Sequence, residues 1–187
     1  MQIRLIAVLP LLLALTGCSL LGLGENDEQL QQGVGSIKAD TPFSEQGLAT
    51  ALGNKYRLRS GMGMRNDELF NFYQALKIDT KPEQLAQIIY GKSDSGISRI
   101  EVLESGISTG EASIGTYFSQ LYAQAYGSCR LNQDSNTRFL ICQSKTNKHI
   151  RYEFSGEWNG PIELIPDNAV LKNWKVSKII WDRQARY

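Results

Sequence analysis

One histidine, three cysteines and five prolines in 187 residues, at a formal net charge of +1, exclude several functions. With His149 the lone histidine and no C-x-x-C spacing, a metal site lacks its third and fourth ligands. The charge balance gives no basic face for nucleic acid. No apolar run approaches the ~20 residues a membrane-spanning helix needs. No metal and no cofactor is implied.

The longest apolar run is N-terminal. Arg4 is followed by eleven apolar residues, Leu5 to Leu15, then by small Gly17 and by Cys18. This is the layout of a secretory signal peptide, residues 1–17. Leu15-Thr16-Gly17-Cys18 resembles the bacterial lipobox, in which the chain is cut before the cysteine and the thiol acylated. Buried acyl chains contribute ~0.8 kcal/mol per methylene, so Cys18 would hold the protein to a membrane without a spanning helix. Ser19 follows the cysteine where an aspartate would retain the protein; by resemblance to the usual lipoprotein sorting rule this implies the outer membrane, with the chain facing the periplasm.

Cys129 and Cys142 remain, an even pair in an oxidising compartment. As a disulfide they would close a loop of about 14 residues, worth roughly 3 kcal/mol. Free thiols or a metal site are the alternatives, with only His149 nearby as a further ligand.

Residues 18–40 carry the lipidated cysteine and a Gly-, Gln- and acid-rich stretch without periodicity, expected to be a flexible tether. Residues 41–187 are expected to form one domain. Two helices stand out: "TPFSEQGLATALG", with Thr41 or Ser44 as N-cap and Gly53 as stop, and "GTYFSQLYAQAYG", from Thr116 to Gly127. The two segments share Thr-x-Phe-Ser and a following Arg-Leu, which fits a duplicated helix-plus-strands unit and equally fits shared helix grammar. Strands are expected elsewhere. In "HIRYEFS", Ile150, Tyr152 and Phe154 alternate with Arg151 and Glu153; "ISRIEVL" alternates likewise. The expected class is α+β: two main helices and a mostly antiparallel sheet.

Two motifs tempt. "AQIIYGKS" (86–93) fits a relaxed phosphate-loop pattern, but Gly91-Lys92-Ser93 ends an element where a phosphate loop opens a helix. Nucleotide binding is therefore not expected. "GISTG" (106–110) matches G-x-S-x-G, and Ser108, Asp134 and His149 follow in hydrolase order. That motif needs a strand-to-helix turn on a parallel sheet, whereas hairpins precede it here. Glu101 and Glu153 fit outward strand positions, with nothing in the sequence to place them across a cleft. Trp158 and Trp174 bracket a long segment with Gly160, Pro161 and Pro166. They are the candidate partner surface, with burial in the core as the competing reading.

"LTGCS", "YRLRSGM", "ISRIEVL", "IGTYFSQLYAQAYGSC", "YEFSGEW" and "LKNWKVSKIIW" together resemble the RpoE-regulated lipoprotein family. The resemblance implies an outer-membrane lipoprotein under envelope-stress control, with a domain of unknown function and no catalytic motif to carry over. The resulting expectation is a non-catalytic, lipid-anchored periplasmic domain that binds an envelope protein. The alternative is a serine hydrolase using Ser108 and His149.

Overall fold

The computed structural model describes residues 33–65, 67–132, 139–161 and 163–185. The expected lipidation site Cys18 and the signal peptide lie outside the described residues. In chain order the elements are β1 (Gly33–Val34), β2 (Ile37–Lys38), α1 (Glu45–Leu52), β3 (Tyr56–Arg65), β4 (Glu68–Lys77), β5 (Gln84–Lys92) and β6 (Gly96–Val102). There follow α2 (Phe118–Leu121), β7 (Cys129–Asn132), β8 (Phe139–Gln143), β9 (Ile150–Ser155), α3 (Asn168–Leu171) and β10 (Lys175–Asp182). β1 and β2 form a small ribbon; the other eight strands make one antiparallel sheet ordered β3-β4-β5-β6-β10-β9-β8-β7. Each half is a meander of four strands, and the last strand of each meets the other at the centre.

The mostly antiparallel α+β architecture is present, but only one of the two expected helices has its expected length. In α1 the Ser44 hydroxyl accepts from the Gly47 amide at 3.2 Å, Leu48 and Leu52 are buried, and Gly53 stops the helix at φ 70°. Gly53 takes a positive φ at little steric cost and donates its amide to the Ala49 carbonyl. The second helix, α2, is four residues long, and Tyr122 is already extended. Its flanks are captured by the sheet: Gly115 donates to the Val176 carbonyl and Phe118 to the Trp174 carbonyl, while the Thr116 carbonyl accepts from Val176. Backbone committed to strand partners is not available to a helix ladder. Tyr122 and Ala125 still reach the core, as turn residues.

The expected domain start at residue 41 also moves. Residues 33–38, read as tether, form the β1–β2 ribbon, and Val34 and Ile37 are buried in the main core. Two isolated apolar residues in a polar stretch carry too little period to be recognised without the surface they cover.

One face of the sheet supplies the core: Ala75, Ile89, Ile100, Val102, Ile179, Trp181, Tyr152, Phe154 and Leu140 alternate inward and meet the apolar sides of all three helices. Cys129 and Cys142 are direct partners on β7 and β8, and the disulfide is formed. Replacing both cysteines with alanine is expected to cost about 3 kcal/mol, read as a lower denaturant midpoint. An unchanged midpoint would mean the crosslink adds nothing to the paired strands.

Candidate functional site

Strand alternation sends a different set of residues to the face opposite the core. At the central joint Ile180 pairs with Glu101 and Asp182 with Arg99; on the other side of β10, Lys178 pairs with Glu153 and Ile180 with Arg151. A bulge between Val176 and Lys178 sets this register, and the Ser177 hydroxyl donates to the Glu153 carbonyl at 3.1 Å. Three bases and three acids thus share one face of β6, β10 and β9.

They connect in a line of alternating sign. Arg151 reaches Asp182 at 3.1 Å, and Arg99 lies 3.9 Å from the same carboxylate. Arg99 also holds Glu101 at 2.7 Å. Lys178 bridges Glu101 at 3.4 Å and Glu153 at 3.5 Å. The carboxylates are deep for an outer face, with Glu101 5% and Glu153 4% exposed. Burial raises the pKa of both. At Glu101, Arg99 and Lys178 outweigh burial, and the carboxyl sits below its ordinary value. At Glu153 burial prevails over Lys178, nearby Glu101 adds to it, and the carboxyl sits above its ordinary value.

Five charges of this ladder, Arg99, Glu101, Arg151, Glu153 and Lys178, line a groove of about 560 Å³, together with Tyr90, Arg130 and Ile141. At one end Tyr90 sits in an aromatic trio, with ring centroids 5.5 Å from Phe70 and 6.1 Å from Phe72. Phe72 lies over Gly61 and Phe70 over Gly63, where a Cβ would collide with the ring, so glycine is required on β3. The groove therefore offers fixed charges of both signs beside an aromatic wall. It suits recognition of a charged, partly apolar ligand.

A second cavity, of about 520 Å³, is lined by Tyr56, Lys77, Asp79, Glu104 and Ile107, among others. Its polar groups are mutually engaged. Tyr56 donates to Glu104 at 2.5 Å, Gln87 donates to the same oxygen at 3.3 Å, and Lys77 pairs with Glu104 at 3.7 Å. Burial, then Glu104, pushes the Tyr56 hydroxyl up to about 12, which keeps it a protonated donor.

The hydrolase pair does not assemble. The Ser108 hydroxyl donates to the Ala112 carbonyl at 3.4 Å and accepts from the Gly110 amide at 3.1 Å. The strand-like bridge Ser108–Ser113 closes a turn there, and no helix starts until Phe118. His149 is buried, its Nδ1 3.0 Å from the Asp182 carbonyl and its Nε2 without a hydrogen-bond partner. Among the described residues no hydrogen bond joins Ser108 to His149, and Asp134 lies outside the described residues. The phosphate-loop pattern is also resolved: Gly91 and Lys92 end strand β5, and a hairpin into β6 follows.

Of the two tryptophans offered as a candidate partner surface, the competing reading, burial in the core, holds for Trp174. Trp174 is 1% exposed in the core, its Nε1 donating to the Glu157 carbonyl, and Gly156 has no room for a side chain beside the indole. Trp158 is half-buried against the same core and donates to the Pro161 carbonyl at 3.3 Å. Sequence reasoning missed the ladder: it places Glu101 and Glu153 at outward strand positions, and only alternation in two strands at once hints that they share a face.

Fold and site together define an α+β protein built on an eight-stranded antiparallel sheet, with helices on one face and a charged groove on the other. The chain belongs to the family described as a protein of unknown function (DUF1131), whose model matches residues 19–183. It is 42% identical over 193 residues to the uncharacterized protein YfeY of Escherichia coli (strain K12), covering 96% of this chain and 97% of that protein. The crystal structure of the uncharacterized protein YfeY from Escherichia coli is similar at a TM-score of 0.70 and 46% identity, over 81% of this chain and 97% of that one.

The split between the carboxylates predicts opposite pH behaviour. Glu101, with its folded pKa lowered, contributes stability that is present above the ordinary carboxylate pKa and is lost as pH falls through the lowered value. Glu153, with its folded pKa raised, contributes stability below the ordinary value and loses it as pH rises through the raised one. Glu101→Gln is expected to cost about 1.5–3 kcal/mol at neutral pH, and Glu153→Gln less. Denaturant unfolding at neutral and acid pH checks this; a larger neutral-pH loss for Glu153→Gln would contradict the assignment. A serine-directed fluorophosphonate is expected to leave Ser108 unlabelled. Labelling abolished by Ser108→Ala would restore the hydrolase reading.

Proposed function

We propose that this is a lipid-anchored envelope protein, made under envelope stress, that binds an extended segment of another envelope protein without catalysing a reaction. Residues 1–17 are its signal peptide, and acylated Cys18 holds it at the periplasmic face of the outer membrane. The observation that carries the binding role is the ladder from Arg151 to Glu153, six fixed charges beside the Tyr90, Phe70 and Phe72 wall. Buried ion pairs seldom add net stability, since desolvation offsets their attraction. Their position on a grooved face therefore supports recognition. On the same footing we read the two helix-plus-four-strand halves as copies of one unit. The mirrored strand order about β6 and β10, and the shared Thr-x-Phe-Ser at Thr41–Ser44 and Thr116–Ser119, support that reading.

Two measurements test the proposal. Radiolabelled palmitate fed to growing cells is expected to label the protein and to be lost in Cys18→Ser; an unlabelled wild type would remove the anchor. A photo-reactive amino acid at Phe72 or Ile141 in intact cells is expected to give one discrete protein adduct, weakened by Arg130→Glu. Adducts no stronger than those from exposed Tyr126, outside the groove, would refute the groove as the binding site.

A further inference from the structure

The β3–β4 hairpin overhangs the sheet. β5 keeps pace with β4 only as far as Gly91, opposite Asn71; the β3–β4 pairs Gly63–Phe70, Met64–Leu69 and Arg65–Glu68 run on past it. Met62, Met64 and Leu69 share the core-side face of the overhang, because Leu58 and Ala75 have the same strand parity. The core stops short of them. Phe43, packed edge-on to Tyr73 at 5.2 Å, ends the core layer, and Met62, Met64 and Leu69 are 67%, 66% and 62% exposed. Neighbouring exposed apolar side chains on one face mark a contact surface.

The path of the chain identifies the contact. Residues 1–32 join the fold at Gly33, which pairs with Lys38. The next residue, Ala39, accepts from Arg183 through its carbonyl, and Arg183 also donates to the Ser95 carbonyl in the β5–β6 turn at 2.9 Å. That turn lies at the end of the sheet where Gly91 meets Asn71, the base of the overhang. The N-terminal segment therefore enters at the end where the overhang projects. About 15 residues separate Cys18 from Gly33, an unstretched span of roughly 20 Å for a flexible linker.

We propose that Met62, Met64 and Leu69 insert into the lipid bilayer that carries the Cys18 anchor, so that the protein holds the membrane by its acyl chains and by this hairpin together. The inference rests on the anchor reading of residues 15–18. Stable attachment by lipid chains takes two signals, and an apolar patch beside the entry point reinforces the acyl chains.

The test uses the full chain purified from membranes and reconstituted into phosphatidylethanolamine–phosphatidylglycerol vesicles with brominated acyl chains. Met64→Trp is expected to add blue-shifted emission that the brominated lipid largely removes, and Met62→Glu in that background is expected to restore it. Leu164→Trp, in a loop elsewhere on the surface, is expected to stay bright. Met64→Trp emission as bright in brominated as in ordinary vesicles overturns insertion. So does an unquenched signal with a photo-probe at residue 64 that links two copies, which assigns the face to self-association. The intact mass of the same sample reports acylation at Cys18 separately. An acylated, unquenched protein loses the insertion and keeps the anchor; a quenched, unacylated one keeps the insertion and loses the anchor.

Discussion

Four residue pairs join the two halves of this protein into one sheet: Ile179 with Val102, Ile180 with Glu101, Trp181 with Ile100, and Asp182 with Arg99. Successive strand side chains point to opposite faces, so this register decides both the core and the groove. A slip of one residue would carry Trp181 and Ile179 out of the core and turn Lys178 and Asp182 into it. Burying those charges without partners would cost several kcal/mol, of the order expected for desolvated polar groups. Apolar side chains on one face and complementary charges on the other therefore specify the same alignment. The ladder is better suited to selecting that alignment than to adding stability, since buried pairs roughly cancel their own desolvation.

The joint also explains the irregular middle of the chain. β6 and β10 are far apart in sequence, and the segment between β6 and α2 must cross the core face on its way to the second meander. It does so by adding to β10: Gly115, Thr116 and Phe118 bond to the backbone of Val176 and Trp174. That anchorage shortens α2, and it is where Glu111 accepts from Thr146 and Tyr152, tying the loop to the turn before β9. Burial comes first in pushing the Tyr152 hydroxyl up to about 12, with the Glu111 charge adding to it. The polar cluster around Glu111 is therefore a structural brace whose hydroxyl stays protonated.

Strands were legible because alternation is a local property. Ile150, Tyr152 and Phe154 all enter the core, and Ile100 and Val102 do the same. The α1 cap at Ser44 and stop at Gly53 were legible for the same reason: each is settled within a few residues. What escaped depends on partners remote in the chain. Phe118, Leu121, Tyr122 and Ala125 keep a helical spacing and all reach the core, yet the backbone bonds of their flanks go to β10. Trp174 looked available beside prolines and glycines because nothing local announces that the core closes over it. Arg151 and Glu153 alternate as an exposed face should, and both are buried, because long side chains on neighbouring strands cover one another. The groove was thus present in the sequence as two unremarkable strands; only their shared neighbour β10 turns them into a site.

Strand β4 links the two surfaces on which the function is argued. Phe70 and Phe72 face the groove side and build its aromatic wall, while Leu69 lies on the opposite side at the overhang. On the two readings proposed above, one strand would serve a binding face with one parity and a membrane contact with the other. If the overhang meets the bilayer by the face that carries Met62, Met64 and Leu69, the groove, on the opposite face of the sheet, stays clear of the lipid. A partner would then meet the ladder unobstructed. An acyl anchor at Cys18 would keep a partner segment held there close to the bilayer. Confinement of that kind raises the effective concentration of a membrane-bound partner without any further contact. Modest affinity in the groove would then be sufficient, consistent with a site built from balanced charges and three aromatic rings.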